Sequence, residues 1–595
     1  MAVPLGLAAA IAALPEDDRF KLVEGWIERE EQAWSFQFSA RLSVEASEHM
    51  PEWSGWHLVV SDLGSDPDIM IYPDAADGIV ATFPHQDFND EPEAGVPWRT
   101  GKPCLERPAS IFRREGWAGE PADLADRLVW RIARLLSWMD AAATDTLLCE
   151  GDPLELPTYP SFDATATIGF SETEADLEWW IGRNEAWGFA TLSALPGAWD
   201  TQVISDFMDP QRRTIRKVTW SKAIPVDNGR VDAVWVLLPA PLVFAPWRTA
   251  ATWRELTAIC ANLKIDLPEI LTSAGARLRR IQRPKHASPV HLIVGFPLME
   301  RVGGEACRIH WTAIRGMRLC TRDDVRRGYK GTAQARQAWD REFAVSNRAL
   351  GWRRTANWAP DQLRKRGKAE EAVRAKSVLI LGVGTLGAAI AESLLRMGVT
   401  KMGLVDGDVM LVGNLSRHVL TMADVGQGKA QAMATRLNLA TPDAAVEAFP
   451  LSFPPDNAKD AEQMRRWDVI IDCTASDAVA RAMGHFQWGG EKLFVSLGMT
   501  WEARGLFAYS ASETAFPAVD AMERFLEASP ALDDVSVGDM EGIGCWHPVF
   551  PATADDVNLW AAVGAKFVRR AVVDAHRKAV LFLQKEDGTV ERRDI

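Results

Sequence analysis

Apolar positions along the chain fall into three regimes. In residues 1–160 helical and strand-like periods are mixed. An Ala/Leu-rich run up to Leu14 predicts a short helix, Leu124–Met139 predicts a longer one, and a proline-rich exit runs from Pro153 to Pro160. Residues 161–335 hold compact apolar runs, such as Val234-Trp235-Val236-Leu237-Leu238 and Val290-His291-Leu292-Ile293-Val294, with helical stretches between them. A charged helical connector over 335–376 leads into the third region. There Val378–Leu381, Gly403–Val405, Val469–Ile471 and Leu493–Leu497 are short continuous apolar runs, and helical segments separate them. Strands buried on both faces that alternate with helices predict a parallel sheet with helices on either side. Asp555 to Ala575 then predicts an amphipathic helix. The expected class is α/β: a Rossmann-like domain at 336–595, preceded by an α+β domain at 1–160 and a mixed α/β middle domain at 161–335.

Composition is compatible with this division. At roughly 150 residues per domain, 595 residues make about three or four domains. Hydrophobic residues at 47% and charged residues at 25% are globular values, so every region can bury a core. The 25 tryptophans are spread along the chain and read as core fillers. A net charge of −15 repels phosphates and anionic lipid, which argues against nucleic-acid and membrane partners. The basic stretch Arg364–Lys368 reads as a solvated linker. None of the seven cysteines stands in CxxC spacing, which excludes a zinc ribbon and a thioredoxin motif. Their odd number and wide scatter suit a reducing compartment. The N-terminal run lacks a basic flank and is followed by Glu16-Asp17-Asp18, unlike a secretion signal. No apolar run reaches membrane-spanning length. The expected location is the cytoplasm.

The strongest local signal follows the strand Ser377–Leu381. Gly382-Val383-Gly384-Thr385-Leu386-Gly387 is a G-x-G-x-x-G loop with a strand before it and the helix pattern Ala388–Met397 after it. Glycines allow the tight turn and close backbone approach, and the helix N-terminus offers free N–H groups to a phosphate. Asp406, 19 residues beyond Gly387, ends the next strand, where a carboxylate can accept from ribose hydroxyls. These features alone fit a dinucleotide-dependent dehydrogenase as well as an ATP user.

The residues after Asp406 separate the two. Asp406-Gly407-Asp408, Asn414-Leu415-Ser416-Arg417 and Gly426-Gln427-Gly428-Lys429 follow in order. This pattern, D-x-D, N-x-x-R, G-x-x-K, resembles the ubiquitin-activating, ThiF/MoeB-type family over about residues 375–510. The resemblance implies ATP and Mg²⁺ as cofactors and adenylation of a carboxylate. It places Asp406 on the ribose, Asn414 and Arg417 at the phosphates, and Lys429 where charge develops during the reaction. Attack of a carboxylate on the α-phosphate builds negative charge, which fixed cations offset best in a dry site. Asp472-Cys473-Thr474 resembles the family's D-C-T-D-N, whose first Asp binds Mg²⁺, an ion that takes one or two carboxylates plus phosphate oxygens. Ala475-Ser476-Asp477 replaces the D-N here, which leaves Asp472 as the metal ligand and Asp477 as a weaker one. The family often uses an upstream arginine that reaches into the site, sometimes from the partner subunit; Arg341 and Arg348 are the candidates here, with no clean motif match. Cys473, beside apolar Ile470 and Ile471, reads as packing.

Two cysteines carry further resemblances. Gly544-Cys545-Trp546-His547-Pro548 lies on a loop past the adenylation sheet, where the activating family carries the thiol that attacks the acyl-adenylate. Gly101-Lys102-Pro103-Cys104-Leu105, with Trp117 and a helix pattern after it, resembles the ubiquitin-conjugating fold's G-x-x-C-L. Phe83-Pro84-His85-Gln86 is similar to that fold's H-P-N tract in altered order, with His85 as a substitute for its asparagine. Gly151–Pro157 resembles the tail of bacterial versions. The three regions together resemble the conjugating–activating fusions of cyclic-oligonucleotide anti-phage signalling (CBASS) operons. That resemblance implies a homodimer that activates the C-terminus of a cGAS-like nucleotidyltransferase, passes it from Cys545 to Cys104, and joins it to target amines. A dedicated ubiquitin-like protein is the alternative partner. A Rossmann-type NAD-dependent oxidoreductase and a non-catalytic nucleotide-binding scaffold are the alternatives of another class.

Overall fold

The computed structural model describes the chain except residues 1–2, 13, 15–17, 30–32, 62–66, 106–119, 161, 196, 198–199, 225–230, 245, 282–289, 318, 320–331, 529–539, 542–546 and 549. It divides into two compact units. The first is Met1–Lys217 with Asp227–Asn357; the second is Val218–Val226 with Trp358–Ile595.

The first unit opens with an antiparallel sheet in the order β1 (Phe20–Glu28), β2 (Trp34–Arg41), β3 (Trp53–Ser61), β4 (Asp68–Pro73). One face is covered by α1 (Leu5–Ala12) and α2 (Leu124–Ala143), as expected from the helical periods there. Asp123 caps α2 by accepting from the N–H groups of Ala125 and Asp126. Leu128, Ile132, Leu135 and Met139, at helical spacing, bury against Phe36, Phe38, Trp56 and Leu58 of the sheet.

The remainder of this unit is one sheet that closes on itself. Its strands are β5 (Asp163–Phe170), β6 (Trp187–Ala194), β7 (Gln202–Met208), β8 (Thr214–Lys217), β9 (Val231–Leu237), β10 (Val290–Met299), β11 (Ala306–Met317) and β12 (Gly351–Asn357). They run in the order β5-β12-β11-β10-β9-β6-β7-β8, and β5 also pairs with β7. Val234 and Val236 of β9 face α3 (Trp253–Asn262) and α4 (Leu267–Ile281), while Trp235 between them points to the opposite face. There its ring meets Trp180, Phe207 and Trp311 edge-on. Several of the tryptophans are therefore core, as composition suggested. The helical connector expected over 335–376 is realised as α5 (Ala333–Ala344), but β12 follows it and joins the first unit's sheet. The charges Arg353 and Arg354 in β12 hide its strand character from an apolar-run reading.

Glu172, just after β5, is buried among these tryptophans. It accepts from Trp180 Nε1 and Trp311 Nε1 and pairs with Arg216 at 2.7 Å. Burial pushes its carboxyl up to about 7, against the pull of Arg216.

The second unit is the expected Rossmann-like domain. Its strands are β13 (Val378–Leu381), β14 (Lys401–Val405), β15 (Ala445–Phe449), β16 (Val469–Asp472), β17 (Lys492–Met499), β18 (Gly505–Glu513), β19 (Lys578–Gln584) and β20 (Val590–Asp594). The order is β15-β14-β13-β16-β17-β18-β19-β20, parallel from β15 to β17 and antiparallel beyond. On one face α6 (Thr385–Arg396), α7 (Lys429–Ala440) and α8 (Ala554–Val573) bury Ile390, Leu394, Met433, Trp560 and Val568. The opposite core holds Trp467, Trp488, Phe494 and Phe516. The strand order departs from sequence order at β13, so the ends of β13, β14 and β16 meet at a topological switch point, where open α/β sheets bind ligands.

Replacing Glu172 with Ala leaves Arg216 with Asp176 at 3.0 Å and the Ser171 carbonyl at 3.0 Å. The expected cost is about 3 kcal/mol, the lower end for breaking a buried pair, because Asp176 retains part of the pairing. Urea titration followed by tryptophan fluorescence should show a lower midpoint for the transition of the first unit.

Candidate adenylation site

The glycine loop joins β13 to α6. Gly382 has φ +82°, a conformation only glycine adopts at low cost, and a Cβ there would lie 2.9 Å from Thr474 Cγ2. Gly387 sits in the first turn of α6, where a Cβ would lie 2.0 Å from the Gly382 carbonyl oxygen. Gly384 is the N-cap of α6 and makes no side-chain capping bond. The first-turn N–H groups of that helix are thereby left for a ligand.

Asp406 ends β14 and ties this loop to the next turn. Its Oδ2 accepts from Val383 N–H at 2.8 Å, and its Oδ1 accepts from Asp408 N–H at 2.8 Å. Each oxygen keeps a lone pair for a further donor. Asp408 in turn receives Lys429 twice: its carbonyl from the Lys429 N–H at 2.9 Å, and its Oδ2 from Nζ at 3.1 Å. Lys429 begins α7 with its side chain mostly covered. Gly382, Gly384, Asp406, Asp408, Lys429 and Thr474 line one cavity of about 260 Å³.

His418 was not among the expected site residues. It is buried, its Nε2 donates to the Val383 carbonyl at 2.9 Å, and its Nδ1 accepts from Leu420 N–H at 3.1 Å. Burial, aided by the charge of Lys429, holds its pKa below the usual histidine value. The imidazole is therefore neutral and fixes the loop from the carbonyl side of Val383. Its only signal in the sequence is its place directly after Arg417.

Neither Asn414 nor Arg417 lines the cavity. Asn414 Oδ1 accepts from Leu411 N–H at 3.0 Å and closes the short 3-10 turn Val412–Ser416. The Arg417 guanidinium donates to the carbonyl of Phe550 at 2.7 Å. It thus anchors the segment that leads from the expected thiol loop into α8. Cys545 itself lies outside the described residues.

Asp472 ends β16 and is buried. Oδ1 accepts from the Thr474 hydroxyl at 2.6 Å and from the Thr474 N–H at 3.0 Å, and Oδ2 accepts from the Ser496 hydroxyl at 3.0 Å. Burial raises its pKa. Among the described residues its partners are neutral donors only, a deficit that a divalent cation would fill. Asp472 and Asp477 line a neighbouring cavity of about 200 Å³, while Cys473 and Thr474 face the glycine-loop cavity. The Cys473 thiol is pushed well up by burial and by Asp472, so it stays protonated. Arg341 pairs with Glu269 at 2.9 Å, and Arg348 stacks over Phe343, both within the first unit.

Cys104 is exposed on a loop of the first unit. Its N–H donates to the His85 carbonyl at 2.6 Å, and Leu105 beside it is buried in the sheet–helix core. His85 and Cys104 are thus on facing loop segments. The imidazole is turned to the tail: Nδ1 meets Glu155 Oε2 at 2.6 Å, and the His85 backbone N–H also donates to that carboxylate. The hydrogen bond to Glu155, with the Leu147 carbonyl and the charge of Asp152, raises the His85 pKa above its ordinary value.

The switch-point cavity, the glycine cradle and the carboxylate that clasps it form a nucleotide site of a kind that dehydrogenases and adenylating enzymes share, and the family match makes it that of a ThiF-class adenylating enzyme. Residues 359–491 match the ThiF family, and residues 145–358 match the Cap2 central linker domain. The chain is 44% identical over 99% of its length to the ATP-dependent ubiquitin transferase-like protein Cap2 of Enterobacter hormaechei subsp. hoffmannii (strain UCI 50), and covers 98% of that protein. It belongs to the Cap2 family. Over 18% of its length it is 36% identical to the sulfur carrier protein adenylyltransferase of Thermus thermophilus, covering 38% of that protein. Over 16% of its length it is 39% identical to the adenylyltransferase and sulfurtransferase MOCS3 of Sus scrofa, covering 21% of it. These relatives select the enzyme over the oxidoreductase and the scaffold. The adenylation fold implies ATP binding.

Two glycines should separate space from stability. Gly387→Ala drives a Cβ into the Gly382 carbonyl and should lower both the melting temperature and ATP affinity, the latter by at least about tenfold. Gly384→Ala meets no protein atom within 4 Å, so calorimetry should find weaker ATP binding with the melting temperature retained.

The His85 pair has a defined pH sign. A histidine whose folded pKa is raised contributes stability that is complete below the unfolded value of about 6.5 and is lost as pH rises through the folded value. The melting-temperature difference between wild type and Glu155→Gln should therefore be largest near about pH 6 and shrink toward about pH 8.5.

Proposed function

We propose that this enzyme activates the C-terminal carboxylate of a partner protein with ATP and carries it as a thioester to target amines. The observation that carries the reading is the cavity on which the glycine cradle, Asp406 and Lys429 converge, with the buried, cation-deficient Asp472 one turn away. The N–H groups of Gly384 and of the first turn of α6 receive the phosphates, and the free lone pairs of Asp406 receive the ribose hydroxyls. Lys429 offsets the charge that builds on the α-phosphate, with Asn414 and Arg417 on the flanking turn. Mg²⁺, held by Asp472 with Asp477 nearby, supplies charge neutralisation to the phosphates when bound.

In the first step a carboxylate oxygen bonds to the α-phosphorus and pyrophosphate leaves, giving an acyl-adenylate. The Cys545 thiolate then bonds to the acyl carbon and AMP leaves. Cys104 takes the acyl group from Cys545 by thioester exchange, and an amine nitrogen finally displaces the Cys104 thiolate. The exposure of Cys104 supports its place as the last carrier. The conjugating-like region 1–160 and the adenylation region, which the fold begins at Trp358 and not at 336, carry the two thiols. The middle domain positions them or binds the partner. The setting that fits is a cytoplasmic homodimer acting in CBASS defence on a cGAS-like nucleotidyltransferase.

Pyrophosphate exchange into ATP, driven by protein from the same operon, tests the first step. Lys429→Ala should slow exchange by about 10²–10³-fold, and Asp472→Asn should abolish its Mg²⁺ dependence. Cys545→Ala should keep exchange and lose every reducible adduct on a non-reducing gel, whereas Cys104→Ala should keep the first adduct and lose the conjugate. Wild-type exchange from Asp472→Asn, or adducts that survive both cysteine changes, would refute the scheme.

A further inference from the structure

We propose that α8, β18, β19 and β20 of the second unit form a binding site for the phosphate group of a small molecule, apart from the adenylation cavity. A cavity of about 250 Å³ opens between these elements, and it shares no lining residue with the glycine-loop cavity. Lys566 and Arg570 line it from α8, Lys578 from β19 and Arg592 from β20, and among the described residues no carboxylate lines it. Two of these cations are already compensated: Lys578 pairs with Asp574, and Arg592 pairs with Asp594. Lys566 and Arg570 have no carboxylate partner among the described residues. They stand four residues apart on one helix, a spacing at which like charges repel. In a chain of net charge −15, two uncompensated cations at one cavity are a local excess that an anion offsets. Together they match a phosphate monoester, which carries a charge of about −1.5 to −2 at pH 7.

The floor of the cavity points to the same ligand independently. Ser510 lies in β18 between Tyr509 and Ala511, whose side chains belong to the opposite core, so Ser510 faces α8 and lines the cavity. It is 0% exposed, and its hydroxyl has no hydrogen-bond partner among the described residues. A buried hydroxyl without a partner is costly, and native structures rarely leave one. A phosphate oxygen is the acceptor that this O–H lacks. Lys578 stands directly opposite Ser510 in the β18–β19 pairing, and Arg592 stands opposite Phe582 in the β19–β20 pairing. Hydroxyl and cations thus converge on one space from the sheet, while Lys566 and Arg570 close it from the helix. A guanidinium fork grips phosphate oxygens two at a time, and an ammonium adds a point charge. Phe567 and Phe582 supply an apolar wall. Since about 150 Å³ is enough for a benzene ring, the cavity has room for a phosphate together with part of the group that bears it.

Isothermal titration of the full-length enzyme with inorganic phosphate, phenyl phosphate and benzoate tests this, at constant ionic strength and with the K566Q/R570Q variant as the comparison. Both changes fall on exposed side chains away from the glycine-loop cavity, so the KM for ATP in pyrophosphate exchange should move less than about twofold. The expected result is phenyl phosphate binding that the double variant weakens by at least about tenfold, the scale of one hydrogen bond to a charged group. Ser510→Ala should weaken it by at least about threefold. The same change should leave the melting temperature of the free protein equal or higher, because the unpartnered hydroxyl is gone. Phenyl phosphate bound more tightly than inorganic phosphate assigns the site to a phosphate ester, and equal affinities assign it to free phosphate. Coincident titration curves for wild type and K566Q/R570Q overturn the site. Benzoate bound as tightly as phenyl phosphate overturns it as well, because a single negative charge and a ring then suffice.

Discussion

The carboxylate of Asp406 holds together the two loops that the candidate site depends on. One oxygen fixes the amide of Val383 inside the glycine loop, and the other fixes the amide of Asp408. Asp408 then positions Lys429 through both its carbonyl and its side chain. A phosphate cradle and a cation are thus set at a fixed separation before any ligand arrives, the kind of preorganisation that electrostatic catalysis requires. His418 completes the restraint by holding the carbonyl of the same Val383. The two peptide units on either side of the Val383 Cα are thus each held, one by its N–H and the next by its C=O, and neither has much freedom to turn its dipole.

Around this clasp the buried groups are arranged by charge. Lys429 is mostly covered and paired, and Asp472 is buried with hydroxyl and amide donors only. The Cys473 thiol, adjacent to Asp472 in the chain, is kept protonated by that same burial. Cys104 stands in the opposite environment, exposed and on a loop whose backbone is pinned by His85 and by the core position of Leu105.

The parts of this arrangement legible in the sequence are those with a local physical signature. Short runs apolar on both faces marked β13, β14, β16 and β17, and the glycine spacing marked the phosphate loop between β13 and α6. The helix pattern 555–575 matches α8 within two residues at each end. What stayed hidden depends on distant partners. Nothing local says that β5 and β7 pair to close the middle sheet, or that Gly351–Asn357, with two arginines, forms a strand of it. The His85 imidazole pairs with Glu155, 70 residues away, a contact without a local signal in the sequence. Arg417 likewise reaches the Phe550 carbonyl, a contact that no spacing rule encodes.

One topological detail constrains how such a protein can be built. Because Val218–Val226 belongs to the second unit, the polypeptide passes between the units at 217/218, 226/227 and 357/358. Ser221 occupies the Asn438 and Pro442 carbonyls at the end of α7. The two bodies are thus stitched rather than strung. A cut at any single one of these crossings leaves one body short of a piece of itself.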